Sequence, residues 1–365
     1  MADFSSLVSE IQVSQADSEL HWLTAFIITP EFPQIIEALQ ICSNLLLYNS
    51  PQHPDNTRGE RGPPVKLPVS STKSEALKGI IVRDGAYITQ LTVTLRESHF
   101  NRHITRLHLK KPILLEQIIT AKRAVDTSIN IIEELTKLTD CSHADHRKLI
   151  DSFNELLLNI QIAKSALQLP TDPHLVFPIH VSPPDAFEPE LVPSISVDVY
   201  ISQAEVCIDL KNLHKVTEKP WGEIEPTTGR SYIDKIRDEM KLPSSRSATI
   251  STPSSTDHSV PLNAADIEER LHELAGHKDS APESSQSTAG IFSNVISHLS
   301  LRPKLDPVDY ITKCVTYNGM VVMINKKIEV SSPDPVLVSA FTKLDSVEYL
   351  VSSFISNLDS LIDVL

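Results

Sequence analysis

The chain has 365 residues, enough for two domains or for one large domain that carries an insertion. Hydrophobic residues make up 41% but aromatic ones only 5%, so the core has to be filled mainly by Leu, Ile and Val. With 47 acidic and 33 basic residues the formal net charge is -14, which disfavours nucleic acid as a partner, and 9 Gly against 25 Pro leave few places for backbone amides to cradle a phosphate.

The four cysteines, Cys42, Cys141, Cys207 and Cys314, stand far apart without CxxC spacing. The amino terminus lacks a basic segment followed by an apolar core, so a reduced, cytosolic setting is expected. No stretch of about 18 apolar residues runs free of charge and proline, as a membrane-spanning helix requires.

A helical pattern opens near Asp17 with Leu20, Leu23 and Ile27 and continues through Ile35, Leu39, Cys42 and Leu46. Pro30 and Pro33 between the two halves predict a kink or a break. Trp22, beside Leu23 and near Phe26, is expected in the core, a partner groove being the alternative. Residues 50–75, rich in Pro, Gly, Ser and charge, read as a loop. In 77–95, Ile80, Ile81 and Val82 precede Asp84-Gly85, and a Thr- and Val-rich run follows, which is the signature of a hairpin with a type I′ turn.

Two long helices come next. Leu114, Ile118, Ala121, Val125, Ser128, Ile132 and Leu135 fall on alternating steps of four and three, and Leu149, Phe153, Leu156, Ile160, Ala163 and Leu167 keep the same rhythm. The short link over 139–146 predicts an antiparallel helix pair. Its Cys141, His143 and His146 read as a polar turn, because nothing nearby completes a tetrahedral metal site. Seven prolines over 170–193 make that segment an extended connector. Over 194–210, Ile195, Val197, Val199 and Ile201 alternate with Ser196, Asp198, Tyr200 and Ser202, as in a half-buried strand.

Residues 221–237 contain Trp221, Arg230, Tyr232 and Arg237, the residue types that anchor interfaces, and these four are candidate partner-binding residues. Packing on the β-domain is the alternative for them. Residues 242–288, dominated by Ser, Thr, Pro and Asp, are expected to be a disordered insert in which Ser247, Thr252 and Ser254 could accept phosphate. His272 and His277 are five apart, not the four of a zinc protease helix. Order is expected to resume near Phe292, with a second hairpin over 310–330 around Asn318-Gly319. Finally, Ala340, Leu344, Val347, Val351, Phe354, Leu358, Leu361 and Leu365 fill every position of a four-three repeat.

These readings combine into an α+β fold: a discontinuous antiparallel helical bundle of amino-terminal, middle and carboxyl-terminal helices, with an inserted small antiparallel β-domain. The expected bundle parts are 17–49, 110–169 and 335–365, and the β-domain parts are 76–98, 194–240 and 308–331. The expected seam joins Leu149, Phe153, Leu156 and Ile160 to Leu344, Val347, Val351, Phe354, Leu358 and Leu361. No G-x-S-x-G elbow, P-loop or G-x-G-x-x-G is present, so no catalytic, cofactor-binding or metal residues are assigned, and the chain reads as a scaffold, not an enzyme.

The segments Glu19-Leu20-His21-Trp22-Leu23, Leu77-Lys78-Gly79-Ile80-Ile81, Leu115-Glu116-Gln117-Ile118 and Val197-Asp198-Val199-Tyr200-Ile201, together with the stretch from Tyr310 through Asn318-Gly319, resemble the Rogdi leucine-zipper family. Its fungal members are the second subunit of the RAVE complex, the regulator of vacuolar proton-pumping ATPase assembly. The resemblance implies a bent α-plus-β protein without catalytic residues or cofactors, which joins a large β-propeller-containing RAVE subunit. That complex promotes reassembly of the peripheral catalytic sector of the ATPase onto its membrane sector and so supports vacuolar acidification. The resemblance also implies a protein peripheral at vacuolar and endosomal membranes through these partners, and the intramolecular bundle predicts a monomer when free. No basic region precedes any heptad run, so the zipper label carries no DNA-binding claim. The residues leave a second reading open, a self-associating coiled-coil structural protein unrelated to the pump, in which 340–365 pairs with its own copy. A metal-dependent hydrolase is the third, and it lacks every motif it needs.

Overall fold

A computed structural model describes residues 4–54, 61–70, 76–97, 100, 104–139, 146–241 and 305–362. The expected insert 242–288 with Ser247, Thr252 and Ser254, the 272–277 stretch, Phe292, the turn around Cys141 and His143, and Leu365 lie outside the described residues. The helices are α1 (Phe4–Trp22), α2 (Phe32–Tyr48), α3 (Glu116–Thr139), α4 (His146–Ala166), α5 (Tyr232–Lys241), α6 (Pro307–Lys313) and α7 (Pro335–Ile362). The strands are β1 (Val65–Ser70), β2 (Leu77–Asp84), β3 (Tyr87–Leu95), β4 (Arg106–Leu109), β5 (Ile113–Leu114), β6 (Phe187–Glu188), β7 (Ile195–Ser202), β8 (Glu205–Lys215), β9 (Cys314–Tyr317) and β10 (Met320–Pro333). The fold is therefore α+β, and the chain divides into two compact units. One comprises Met1–Leu191, Val197–Leu210 and Ile328–Leu365, the other Val192–Ser196 and Lys211–Lys327.

In the first unit α2 packs on α3 and α7, α4 packs on α3 and α7, and α1 also touches α7. Helices from the beginning, middle and end of the chain thus share one bundle. The four-three residues supply its interior: Leu149, Phe153, Leu156 and Ile160 of α4 and Leu344, Val347, Val351, Phe354 and Leu358 of α7 are all buried, while Leu361 in the last turn is partly exposed. At the centre the Phe153 ring lies 6.1 Å from that of Phe32 and 6.2 Å from that of Phe354, so three helices meet on three of the few aromatic rings in the chain. Elsewhere small side chains let α2 and α7 approach closely. Cys42 and Ala340 are fully buried, and the Cys42 thiol donates to the Ala340 carbonyl at 3.5 Å.

Pro30 and Pro33 do not separate α1 from α2. A π-helical turn (Leu23–Ile28) and a 3-10 turn (Thr29–Glu31) carry the chain through, and the prolines sit at first-turn positions where a missing N–H leaves no bond unmade. The wider π turn brings Leu20, Ile28 and Phe32 onto one buried line. Trp22, two residues from Leu20 and so on the opposite side of the helix, and Phe26 are exposed at 55% and 66%, which corrects the expectation of a core Trp22.

The first sheet has the order β1-β2-β3-β4-β6, with β5 also pairing to β3. β1 falls where a loop was expected. Leu67 and Val69 are buried while Lys66, Pro68 and Ser70 are exposed, and an edge strand tolerates Pro68. In the β2–β3 hairpin Asp84 pairs with Tyr87, so the turn is Gly85-Ala86, not Asp84-Gly85. Only Gly85 of these two has a positive φ, 58°, the pattern of a type II′ turn instead of type I′. A Cβ on Gly85 would stand 2.3 Å from the Leu47 carbonyl oxygen, so the position also demands glycine for space.

The second sheet has the order β7-β8-β10-β9, so the β segments make two sheets where the sequence suggested one layer. The single strand expected over 194–210 is a hairpin. Gln203 and Ala204 join β7 to β8 with φ of 52° and 58°, a type I′ pattern made without glycine. Asn318 and Gly319 join β9 to β10 with φ of 46° and 68°, as the sequence indicates. The proline-rich connector is more than extended chain: it includes 3-10 turns at Pro173–Leu175 and Pro184–Ala186 and adds β6 beside β4.

One buried cluster joins the first sheet to the bundle. Arg83, fully buried beside a bulge at the end of β2, donates from Nε and Nη2 to the two Asp334 oxygens at 2.5 and 3.2 Å. Its Nη1 donates to Asn49 Oδ1 at 2.9 Å and to the Gly85 carbonyl at 2.7 Å. Asp334 in turn caps α7, accepting from the Val336 and Leu337 amides at 2.9 and 3.1 Å, while Asn49 closes α2 with a left-handed φ of 53°.

Two substitutions test this arrangement by urea denaturation. Asp334→Ala leaves a buried guanidinium without its carboxylate and should cost about 3–5 kcal/mol. Leu358→Asp puts an unpaired charge into the seam and should cost several kcal/mol, so an unchanged midpoint would contradict the burial of α7.

Candidate interaction surfaces

The candidate partner-binding residues lie in the second unit, and the chain around them is arranged by capping. Ser231 and Asp234 form a capping box at the start of α5. The Asp234 amide donates to Ser231 Oγ at 3.1 Å, and Asp234 Oδ2 accepts from the Ser231 amide at 3.2 Å. The same carboxylate oxygen accepts from Ser231 Oγ at 2.8 Å and from Thr316 Oγ1 at 2.5 Å, which ties α5 to β9. Partial burial works to raise the Asp234 pKa, but the Thr316 and Ser231 hydrogen bonds and the Arg237 charge hold it below 3.8.

Arg237, one turn further along α5, donates from Nε to the Ile311 carbonyl at 2.8 Å and from Nη2 to the carbonyls of Ile311 and Cys314. Carbonyls at the end of α6 have no helical partner, and Arg237 supplies one. Trp221 is buried and stacks on Tyr310, with ring centroids 4.9 Å apart and planes 3° from parallel. Tyr232 meets the Trp221 ring edge-on at 5.6 Å. Around them pack Ile233, Ile236, Met240, Ile311 and Val321, so Trp221, Tyr232 and Arg237 hold the unit together from inside. Arg230 alone of the four is exposed, where it pairs with Asp238, next to a Lys235–Glu225 pair at 3.0 Å.

The three cysteines among the described residues are all buried. Burial pushes the Cys42 and Cys207 thiols up to about 12 and Cys314 up to about 11, so at neutral pH each is a protonated thiol and a poor nucleophile. Among the described residues no group of three or more His, Cys, Asp or Glu side chains is placed to hold a metal ion, and no helix is long and apolar enough to cross a membrane.

Two of the segments that carry the family resemblance meet in the first unit. The Gln117 side chain donates to the Ile201 carbonyl at 2.9 Å and accepts from the Ile201 amide at 2.7 Å, while also donating to the Ala166 carbonyl at 3.0 Å. One buried amide thus fixes the start of α3, the end of α4 and β7 against one another. No spacing rule in the sequence marks Gln117 for this part.

Residues 19–359 match the family model described as Rogdi leucine zipper containing protein. The chain is also 26% identical over 357 residues to "Regulator of V-ATPase in vacuolar membrane protein 2" of Saccharomyces cerevisiae, a match that covers 94% of this chain and 91% of that protein.

The capping box makes a prediction in the second unit. Asp234→Ala should destabilise by about 1–2 kcal/mol at neutral pH. Because the folded pKa is depressed, this contribution is fully present above pH ~4 and disappears as pH falls through the depressed value, so wild type and variant should converge in acid. Arg230→Ala removes only an exposed pair and should stay within about 0.5 kcal/mol of wild type by the same urea titration.

Proposed function

The chain belongs to the family of Rogdi leucine zipper containing proteins, and from that premise we propose that it is a non-enzymatic scaffold subunit of a RAVE-type complex. In this role it promotes assembly of the peripheral catalytic sector of the vacuolar proton-pumping ATPase with its membrane sector and so supports vacuolar acidification. The observation that carries the reading is the end-to-end match to a protein named as a regulator of V-ATPase in the vacuolar membrane, 94% of one chain against 91% of the other. A similarity confined to the helical segments would have argued only for shared coiled-coil patterning.

The partners in this reading are a large β-propeller-containing subunit and subunits of the peripheral sector, met in the cytoplasm and at vacuolar and endosomal membranes. The high thiol pKa values and the absence of nucleotide-binding and hydrolase motifs support a role without catalysis. On the second unit, the exposed side of α5 with Arg230 is the proposed contact, positioned from behind by Trp221, Tyr232 and Arg237.

The alternative of a self-associating coiled coil requires a free apolar stripe on α7. That stripe is already covered by α2 and α4 of the same chain, which favours a monomer. Light scattering should accordingly give the monomer mass, unchanged on dilution. Affinity capture with the tagged full-length chain should recover a propeller-containing subunit together with peripheral-sector ATPase subunits, and recovery of neither would overturn the assembly role.

A further inference from the structure

The register of the first sheet sorts its side chains into an inner and an outer face, and the two differ in kind. Leu67, Val69, Ile81, Leu91, Val93 and Leu107 share the buried face. On the opposite face, Cα pairing aligns Ser70, Lys78, Thr94 and Arg106 in one row across four strands. A second row runs Pro68, Ile80, Thr92, His108 and Glu188, and a third joins Lys66 to Val82 and Gln90. Lys66 and Arg106 are exposed and Lys78 is partly so. Arg96, one step past the end of β3, continues the outer parity and is exposed as well.

Thus an acidic chain of net charge -14 turns toward solvent a sheet face whose charges are mainly positive, with Glu188 the one carboxylate in these rows. Between the charges stand hydroxyl and amide donors, Ser70, Thr94 and Gln90, and the apolar Ile80 projects from the middle. At about 4.8 Å between strands and about 3.3 Å per residue along them, Lys66 on β1 and Arg106 on β4, three strands across and four residues along, span roughly 20 Å, the length of about six extended residues. We propose that this outer face of the first sheet docks an extended acidic segment of a partner protein, its carboxylates meeting Lys66, Lys78 and Arg106 and an apolar residue among them resting on Ile80.

A polypeptide segment fits better than an anionic membrane for a physical reason. A charged plane meets the field of the whole acidic molecule, whereas a single segment lies within one Debye length, about 8 Å, of the basic face alone. This inference goes beyond the ATPase reading and does not require it, because it specifies only the chemistry of the occupant.

The test uses the full-length chain and a fluorescent ten-residue Glu-rich peptide with one central Leu. Binding should appear in about 50 mM salt and weaken at least roughly tenfold in about 300 mM salt. The combined Lys66→Glu, Lys78→Glu and Arg106→Glu variant should lose binding by at least about tenfold, while Lys219→Glu, which reverses an exposed charge in the other unit, should retain it. If the charge-reversed variant fails to fold by circular dichroism, the Lys66→Gln, Lys78→Gln and Arg106→Gln variant takes its place with the same expectation. Equal binding by wild type and variant, no binding by wild type, or three-residue-dependent binding to phosphatidylserine vesicles in place of the peptide would each overturn the proposal.

Discussion

A guanidinium removed from water must find a carboxylate, and for Arg83 that carboxylate is Asp334, 251 residues away in the chain. A surface pair at such a separation would constrain little, since solvent can replace either partner. Here both side chains are fully buried, so neither β2 nor the start of α7 can settle elsewhere without leaving a charge in the interior. The net stability of such a pair against an apolar substitute is small or negative, but breaking it is expensive, and that asymmetry fixes position. Because Asp334 also caps α7 and Asn49 also closes α2, the same cluster sets where two bundle helices begin and end. With α7 started there, its stripe faces α2 and α4, and Phe354 reaches Phe153.

The bundle has the converse character. Its contacts are apolar, numerous and individually replaceable, as heptad packing allows. Such a seam tolerates helix shifts by a whole heptad, and nothing in Leu-Val repetition alone selects one register over another. The singular elements do so: the Cys42–Ala340 close approach, the three-ring cluster at Phe153 and the Gln117 hydrogen bonds to Ile201 each occur once along their helices. Generic burial gives the helices reason to assemble, and these few polar or oddly shaped contacts choose how.

This division explains what could be read from the residues in advance. Periodicity is imposed by the backbone, so the four-three runs over 149–167 and 340–358 identify buried helix faces without knowledge of the partner. Turns that depend on glycine are visible in the same way at Asn318-Gly319, but the Gln203-Ala204 turn is not, because tertiary pairing of β7 and β8 forces positive φ onto residues that do not prefer it. β1 is hidden by Pro68, which its edge position excuses, and Trp22 looks like core because apolar Leu23 and Phe26 stand near it, although it lies two residues from buried Leu20, on the other side of α1. The candidate site was the least legible part. Trp, Tyr and Arg are favoured at interface centres for the reasons that also favour them in small cores: large area, few rotamers and a polar end that can find a partner. Composition cannot tell Trp221 stacked on Tyr310 from a Trp awaiting another protein. Arg237, likewise, looks free until α6 supplies the carbonyls that it caps.

Charge shows the same limit from the other side. A net charge of -14 properly disfavours a polyanion that must approach the whole molecule, yet it says nothing about a face a few strands wide, because screening in salt confines each charge to its own neighbourhood. Lys66, Lys78 and Arg106 are scattered over some forty positions, unremarkable among 33 basic residues. Antiparallel pairing in a particular register brings them to one side, and a slip of one residue on any of the three strands would send its cation into the core. The apolar requirement of the inner face therefore fixes the electrostatics of the outer one: Leu67 and Leu107 are buried, so Lys66 and Arg106 beside them stand on the opposite, exposed face. A binding surface of this kind follows from the register that the core selects, and a sum over composition cannot contain it.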